Sequence, residues 1–341
     1  MGKATVKANE LQTCLEHLDA SRGARFFSLE SDKEYSGVEE IKSTLQTVDP
    51  EKNPYVRIDQ DKNEIIQLFF KDVRITGKLD LSNLDFRSLT FEPVTIEELV
   101  INGRKSKNGV INILKNSSIE SFTISNSTFN QINMHNSEIR DWSITNTEIS
   151  NMFKISTSLI HGLFHFENII LHPPQEQSAY KVEQCIGSNN AQLILENFTL
   201  KNSGDFQLNQ LKNLEKFAVN SFDCQYDSRV SINACDMNGF ETDCLGIEKF
   251  HFSDCSNYPI SKASLCRTYA TFRKNGLCNN DKWGKRKGNI AKEQKSLYIS
   301  LREEAKKKGN KQLEDDFYYC QMHWDLEERF KLWAWLYRFF C

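Results

Sequence analysis

Residues 116–156 read NSSIESFTIS NSTFNQINMH NSEIRDWSIT NTEISNMFKIS, and this segment repeats its own pattern every ten residues. Each decad opens on an Asn-Ser or Asn-Thr pair, and three apolar positions recur behind that pair. The apolar positions form three series: Ile119, Phe129, Ile139 and Ile149; Phe122, Ile132, Trp142 and, one residue late, Phe153; and Ile124, Met134, Ile144 and Ile155. A fixed period of this kind indicates a repeat architecture.

Within each decad apolar and polar residues alternate, as at Phe122 and Ile124, which is the pattern of a strand with one face in a core. Such short strands cannot enclose a core alone, so successive coils must stack. If two decads form one coil, each coil of about 20 residues advances by about 4.8 Å, the spacing of neighbouring strands. The Asn-Ser pairs are predicted at the corners, where the Asn side chains form structural ladders.

The same alternation extends in both directions and predicts a β-solenoid over residues 71–260. It is present in VRITGKLDLSNLDFRSLTF (73–91) and returns in three later segments, 193–200, 217–224 and 250–255. In the later coils three Asp-Cys pairs are predicted to replace the Asn-Ser corner: Asp223-Cys224, Asp243-Cys244 and Asp254-Cys255. The polar segment 172–190, which contains two adjacent prolines, is predicted to be a loop inserted in one coil.

Both ends of the chain lack the decad. Residues 1–70 are predicted to be an N-terminal helical cap, because the apolar residues of 38–48 have a helical spacing and an exposed first coil needs covering. Residues 261–341 are predicted to be a basic α-helical hairpin, with one helix over 290–308 and a second from 311 onward. Gly309 and Asn310 provide the break between the two helices.

The C-terminal part of the chain is basic and ends on an aromatic segment. Residues 262–311 contain 15 Lys and Arg but four acidic residues, whereas the whole chain has a net charge of -3. A basic surface is predicted at Lys285, Arg286, Lys287, Lys306, Lys307 and Lys308. Of the final twelve residues, FKLWAWLYRFFC (330–341), ten are apolar or aromatic.

Aromatic residues mixed with Arg are typical of segments at the membrane headgroups. A membrane or partner contact is therefore predicted at Phe330, Trp333, Trp335, Leu336, Tyr337, Arg338, Phe339 and Phe340. The alternative is that this aromatic segment packs on the hairpin or on a second copy of the chain. Basic residues near an aromatic terminus favour an anionic membrane surface over nucleic acid as the partner.

In these features the chain resembles the pentapeptide-repeat-like β-solenoids of bacteria. VRITGKLDLS (73–82) is similar to their opening segment, and 297–322 is similar to the helical segment that links such solenoids to membrane helices in relatives with a channel-like C-terminus. The matching residues of the second segment are Leu301, Ala305, Gly309, Asn310, Phe317, Tyr318, Tyr319 and Met322. The resemblance implies right-handed coils of four-sided cross-section, and a membrane region that continues beyond Cys341.

Sequence motifs for enzymatic chemistry are missing from this chain. It has no CxxC pair, no glycine-rich nucleotide fingerprint and no nucleophile elbow. His161 and His165 are four residues apart, but they fall in a predicted strand, which disfavours a shared metal. The ten cysteines are interpreted as free thiols, because the N-terminus has no secretory signal and a cytoplasmic location follows. No cofactor or metal is expected.

The sequence therefore predicts a non-enzymatic cytoplasmic β-solenoid at the inner face of the cell membrane. We expect it to sense a protein trigger on its solenoid face and to act through its C-terminal helices on the membrane. The resemblance implies the soluble part of a channel-like effector of antiphage defence or stress, and homo-oligomers formed through the C-terminal helices. The alternative is a soluble, oligomeric protein-protein interaction scaffold, or a DNA-mimic inhibitor of the pentapeptide type.

Overall fold

In a computed structural model of the chain, parallel strands wind into a β-solenoid of about seven coils. A pair of helices follows the last coil. The structure describes residues 4–16, 25–28, 34–35, 46–47, 66–82, 86–104, 109–172, 180–201, 205–225, 227–242, 249–257 and 283–329. The mainly β architecture predicted from the decad is confirmed.

The described strands form one sheet, and all their pairings are parallel except that between β2 and β4. The strands are β1 (Ala4–Lys7), β2 (Arg25–Ser28), β3 (Glu34–Tyr35), β4 (Gln46–Thr47), β5 (Ile66–Lys71), β6 (Val73–Asp80), β7 (Phe86–Phe91), β8 (Val94–Asn102), β9 (Val110–Leu114), β10 (Ser118–Ser125), β11 (Thr128–His135), β12 (Glu138–Ser156), β13 (Leu159–Ile160), β14 (Leu163–Leu171), β15 (Tyr180–Glu183), β16 (Ile186–Gly187), β17 (Gln192–Glu196), β18 (Thr199–Leu200), β19 (Phe206–Asn209), β20 (Lys216–Asn220), β21 (Asp223–Cys224), β22 (Val230–Asn233), β23 (Phe240–Glu241) and β24 (Phe250–Ser253). The helices are α1 (Ala8–Glu16), α2 (Trp283–Lys307) and α3 (Lys311–Arg329).

Strand β12 follows one complete coil and defines the four faces of the solenoid. Face 1 contains residues 138–139, which pair with β13, and face 2 contains 142–145, which pair with β14. Face 3 contains 147–149, which also pair with β14, and face 4 contains 153–156, which pair with β15. The four-sided cross-section that the resemblance implied is thus compatible with the pairing.

The coil length agrees with two decads where the sequence is regular. Phe122 pairs with Trp142, and Ile119 pairs with Ile139, so equivalent residues recur after two decads. The late position of Phe153 is explained by a β-bulge, because the pairing of β11 with β12 shifts by one residue after Phe129. The apolar residues of all three predicted series are buried.

The predicted Asn ladders are present, and they connect neighbouring coils. Asn126, Asn146 and Asn168 adopt positive φ angles of 49°, 50° and 55°. The Asn146 Nδ2 donates to Asn126 Oδ1 at 3.2 Å, and Asn168 Nδ2 donates to Asn146 Oδ1 at 3.0 Å. Asn is among the few residues that tolerate this left-handed conformation, so it turns the chain and bonds the next coil at once.

In the regular coils a hydroxyl residue follows the corner Asn and points into the core. Ser127 and Thr147 are buried, and their hydroxyls donate to the carbonyls two residues earlier at 2.7 and 2.9 Å. Cys235 and Cys255 make the same local contact with their thiols, at 3.4 and 3.3 Å. A small side chain with a single donor, either a hydroxyl or a weaker thiol, therefore supplies a hydrogen bond to a backbone carbonyl at the corner.

Of the three predicted Asp-Cys corners, one is confirmed and one is wrong. Asp254 has a φ of 52° and precedes the buried Cys255. Cys224 instead belongs to the short strand β21, which pairs with β18, and the preceding corner is at Ser221 with a φ of 54°. Asp243-Cys244 lies outside the described residues.

Stacked aromatic residues fill the middle of the solenoid. The Phe122 and Trp142 ring centroids are 5.4 Å apart and nearly parallel, and Phe164 meets Trp142 edge-on at 5.5 Å. Further along, Phe198 and Phe222 stack at 4.9 Å. Such pairs add about 0.5–1.5 kcal/mol each beyond their area burial, so the stacked rings stabilise the contact between coils.

The solenoid and its N-terminal cover differ in detail from the predicted boundaries. Strand β1 already pairs with β6, and α1 packs on β6 through the buried Ala8, Leu11 and Leu15. The capping helix predicted at 38–48 is not formed at Gln46–Thr47, which is β4; residues 38–45 lie outside the described residues. The spacing of apolar residues over this short segment did not distinguish a helix from a strand.

Part of the predicted inserted loop belongs to the coils. Tyr180–Glu183 and Ile186–Gly187 are strands β15 and β16, and β15 pairs with both β12 and β19. Within 172–190 the structure leaves only 173–179 undescribed. The prolines at 173 and 174 lie in the inserted part of the sequence. From Tyr180 onward, buried apolar residues again alternate with more exposed polar ones.

We expect Asn146→Ala to lower the stability of the solenoid by about 1–2 kcal/mol, because Ala pays the left-handed backbone penalty and loses the ladder bonds. Asn146→Gly loses the same bonds without that penalty and should be less destabilising. Chemical unfolding followed by circular dichroism compares the two variants. Equal losses of stability in the two variants would show that Asn146 does not stabilise the solenoid through its left-handed backbone conformation.

Candidate interaction surfaces

The turn between α2 and α3 is formed by the two residues that the sequence predicted. Gly309 has a φ of 67°, and its N–H donates to Lys306 O at 3.0 Å. Asn310 N–H donates to Ala305 O at 3.0 Å, and Asn310 Oδ1 accepts the N–H of Leu313 at 3.2 Å. The first helix therefore ends in a Schellman motif, and the second begins with an Asn cap.

The two helices pack as an antiparallel hairpin. The Tyr298 and Phe317 rings lie 6.3 Å apart, and Leu301, Cys320 and Trp324 are buried with them. Arg302 crosses the pair, donating to Gln321 Oε1 at 3.4 Å and lying 4.6 Å above the Tyr318 ring. An apolar seam with polar links at its sides holds α2 and α3 as one unit.

The final turn of α2 contacts the last coil of the solenoid. Asp254 N–H donates to Glu304 Oε1 at 3.2 Å, and Lys308 Nζ lies 3.5 Å from carboxylate oxygens of both Asp254 and Glu304. Asp254 is also the left-handed corner residue of the last coil. The hairpin is thereby connected to the solenoid at a structural corner.

The predicted basic residues divide into two groups at opposite ends of α2. Lys306 and Lys307 are exposed in its last turn, near the solenoid, and Lys308 is bound to Asp254 as described. Lys285, Arg286 and Lys287 lie in its first turns, about 30 Å along the helix axis. Because the hairpin is antiparallel, this second group is at the end where α3 stops at Arg329.

The predicted aromatic contact residues, Phe330 to Phe340, lie outside the described residues. The structure therefore does not place Phe330, Trp333, Trp335, Leu336, Tyr337, Arg338, Phe339 or Phe340. Within the described part of the chain, no helix is both long and apolar enough to cross a membrane.

A charged groove of about 400 Å³ runs over the corner between faces 1 and 2. Its carboxylates are Glu97, Glu98, Glu120 and Asp141, and its cations are Lys78 and Arg140. Lys78 pairs with Glu98 at 3.5 Å, and Glu97 accepts the N–H of Gly77 at 2.7 Å. Carboxylates outnumber cations, so the groove favours a basic ligand.

An exposed apolar patch adjoins this groove. Leu159 and Ile186 pair across neighbouring coils on face 1 and are 43% and 45% exposed; Leu163, across the corner, is 40% exposed. Among the described solenoid residues these are the exposed large apolar side chains. Leu163 N–H donates to Asp141 Oδ1 at 2.9 Å, which joins patch and groove.

Sequence reasoning did not identify this patch. The outward positions that precede Leu159 on face 1 are the polar Ser118 and Glu138, as the pairing of β12 with β10 and β13 shows. The available signal was an apolar residue directly after Ser158, the hydroxyl residue that follows the corner at Thr157. Ile186 could be paired with it only after the length of the intervening coil was known.

Three histidines of the solenoid, His161, His165 and His172, lie beside carboxylates of other coils. His161 Nε2 is 2.6 Å from Glu138 Oε1, and His165 Nε2 is 3.3 Å from Glu196 Oε2. The two histidines therefore contact different partners. Among the described residues no group of three or more His, Cys, Asp or Glu side chains could hold a metal ion.

Four of the cysteines whose side chains the structure describes, Cys185, Cys235, Cys255 and Cys320, are buried reduced thiols, whereas the reduced thiol of Cys224 is partly exposed. Burial raises the pKa of the Cys185 thiol to about 12 and that of Cys320 to about 11. A hydrogen bond with Cys255, together with burial, raises the pKa of Cys235. Because the thiolate is the reactive form, these three thiols have a structural role at neutral pH.

No family model, curated protein or solved structure matches this chain.

We expect Gly162→Ala to destabilise the corner that supports both surfaces, by about 1–3 kcal/mol. A Cβ at Gly162 would lie 2.4 Å from Asp141 Oδ1 and 2.8 Å from Arg140 O. Ser143→Ala, on the outward side of face 2, is the matched control and should leave the unfolding temperature unchanged. Equal unfolding temperatures for both variants would show that the corner relaxes without cost.

Proposed function

We propose that this protein is a non-enzymatic regulatory solenoid whose C-terminal hairpin couples it to an anionic membrane surface. The observation that carries the proposal is the division of the basic residues along the hairpin. One end of α2 is bound to the last coil through Lys308 and Asp254, whereas Lys285, Arg286 and Lys287 lie at the other end. The aromatic segment 330–341 follows α3 from that same end.

In this arrangement the solenoid end and the distal end of the hairpin have different functions. The solenoid end is held by charge pairs and a helix-terminal contact, so a change in the last coil is transmitted to α2 through Asp254. The distal end combines three basic residues with Trp, Tyr and Phe, which is the composition that binds headgroups. A protein trigger on the solenoid face would then act on the membrane end.

The resemblance to pentapeptide-repeat-like solenoids supports the same assignment and extends it. It favours right-handed coils, a cytoplasmic position at the inner face of the cell membrane, oligomers formed through the hairpins and a channel-like effector in antiphage defence or stress. A non-catalytic role without a cofactor agrees with the raised pKa values of the buried thiols, since these groups are poor nucleophiles.

The second candidate is a soluble interaction scaffold, and the apolar patch at Leu159 and Ile186 favours it. Contiguous exposed apolar side chains rimmed by charge are typical of protein contact sites. The two candidates differ in salt dependence. Membrane attachment through basic residues weakens at high ionic strength, whereas a scaffold dimer held by apolar contacts does not.

The full chain should float with liposomes containing about 30% phosphatidylserine and should be released in high salt. Lys285→Glu/Arg286→Glu/Lys287→Glu should weaken this binding about 100-fold, since each basic residue near an anionic surface contributes about 1 kcal/mol. Lys306→Glu/Lys307→Glu removes charge at the solenoid end of the same helix and should change binding little. The aromatic variant Trp333→Glu/Trp335→Glu should also lose flotation.

Equal flotation of all four proteins would contradict the proposal. Absence of flotation together with a salt-insensitive dimer would favour the scaffold instead. A large loss in the Lys306 and Lys307 variant alone would place the membrane contact at the wrong end of the hairpin and would also contradict it.

A further inference from the structure

The exposed patch and the charged groove form one continuous surface. Leu163 N–H donates to Asp141 Oδ1 at 2.9 Å, and Glu138, the face 1 neighbour of Leu159, lies 2.6 Å from His161. Apolar side chains on one coil are thus bordered by carboxylates on the coil before it. On the following coil Lys212 pairs with Ile186 and gives that side of the surface the opposite charge.

Two groups of the groove are available for a ligand. Glu120 and Arg140 are exposed, and neither makes a hydrogen bond or ion pair with the described residues. Glu98 and Asp141 line the groove beside them, and both residues are accessible to solvent. A ligand with apolar side chains and basic groups would therefore find complementary chemistry along the surface.

We propose that this surface binds residues 330–341 of a second copy of the chain. That segment, FKLWAWLYRFFC, has ten apolar or aromatic residues and the basic residues Lys331 and Arg338. Its apolar side chains match Leu159, Leu163 and Ile186, and its two cations match the excess of carboxylates in the groove. Burying both sets removes two exposed apolar surfaces from water.

A second copy is assigned because of where the segment begins. It follows Arg329, at the end of a 19-residue helix, about 28 Å along the axis from the turn beside the last coil. A second molecule can bring its segment to the patch whatever the direction of its hairpin relative to its own coils. Because the two contacting surfaces differ, the association is heterologous and adds copies head to tail or closes a ring.

This association rests on the same aromatic segment as the proposed membrane contact. The surface of a second copy and the membrane therefore compete for residues 330–341. A segment that occupies the surface of another copy is not available to headgroups, so membrane attachment and association through this surface exclude each other. Release from the surface would then be the step that exposes the membrane contact.

The test is fluorescence anisotropy of a labelled peptide with the sequence of residues 329–341, in which the terminal Cys341 is replaced by Ser. The peptide should bind the full chain and should lose about tenfold or more in affinity for Leu159→Ser/Ile186→Ser, as expected when two central side chains are removed. Glu120→Lys should weaken binding independently. The control Ile299→Ser/Tyr319→Ser, which alters hairpin side chains of similar exposure, should bind as the wild type does.

Peptide variants test the charge match from the other side. Replacing Lys331 and Arg338 by Glu should abolish binding to the wild type, and binding of the original peptide should fall as salt is raised. Equal affinity for the patch variant and the wild type would overturn the proposal, as would equal loss in the hairpin control. Should the patch variant fail to fold, the Glu120→Lys result decides, since that side chain is exposed.

Liposome flotation of the same proteins separates this inference from the membrane proposal. Peptide binding without flotation of the full chain would retain the surface and reject the membrane contact. Flotation of the full chain without peptide binding would retain the membrane contact and reject the binding surface. If both hold, the patch variant should float at least as well as the wild type, because its aromatic segment is no longer held by another copy.

Discussion

Every coil depends on residues that turn the chain in the left-handed conformation and still bond the neighbouring coil. Asn126, Asn146 and Asn168 meet both requirements, because each adopts a positive φ and their amides form a ladder from coil to coil. Glycine could turn the chain equally well, but it would contribute no bond between coils. The apolar rings inside stay in register because the corners set where each coil begins.

The regular coils could be predicted because one ten-residue pattern encodes strand, corner and core together. Prediction failed where that pattern is interrupted. Tyr180–Glu183 follows an insertion, so its return to the sheet depends on pairing with Phe153, which local alternation does not reveal. The groove and patch were missed for the same reason: Leu159 and Ile186 become neighbours only through the length of the coil between them.

The hairpin was predicted well because its ends carry local signals, namely Gly309 for the stop and Asn310 for the cap. Its attachment to the solenoid was not predictable, because Glu304 and Lys308 are about 50 residues away from Asp254 in the sequence. That attachment distinguishes the two basic groups of α2. A contiguous basic stretch in sequence thus becomes a solenoid-bound end and a distal end in space.

The contact between α2 and β24 has a consequence for how copies can associate. In the described sheet β24 pairs only with β22, and the edge strand of a parallel sheet is a template onto which another chain can add. The end of α2 contacts this strand and the corner after it, and so obstructs the addition of a further strand. Copies are thereby steered toward association through side-chain surfaces and away from continuous fibres built by strand addition.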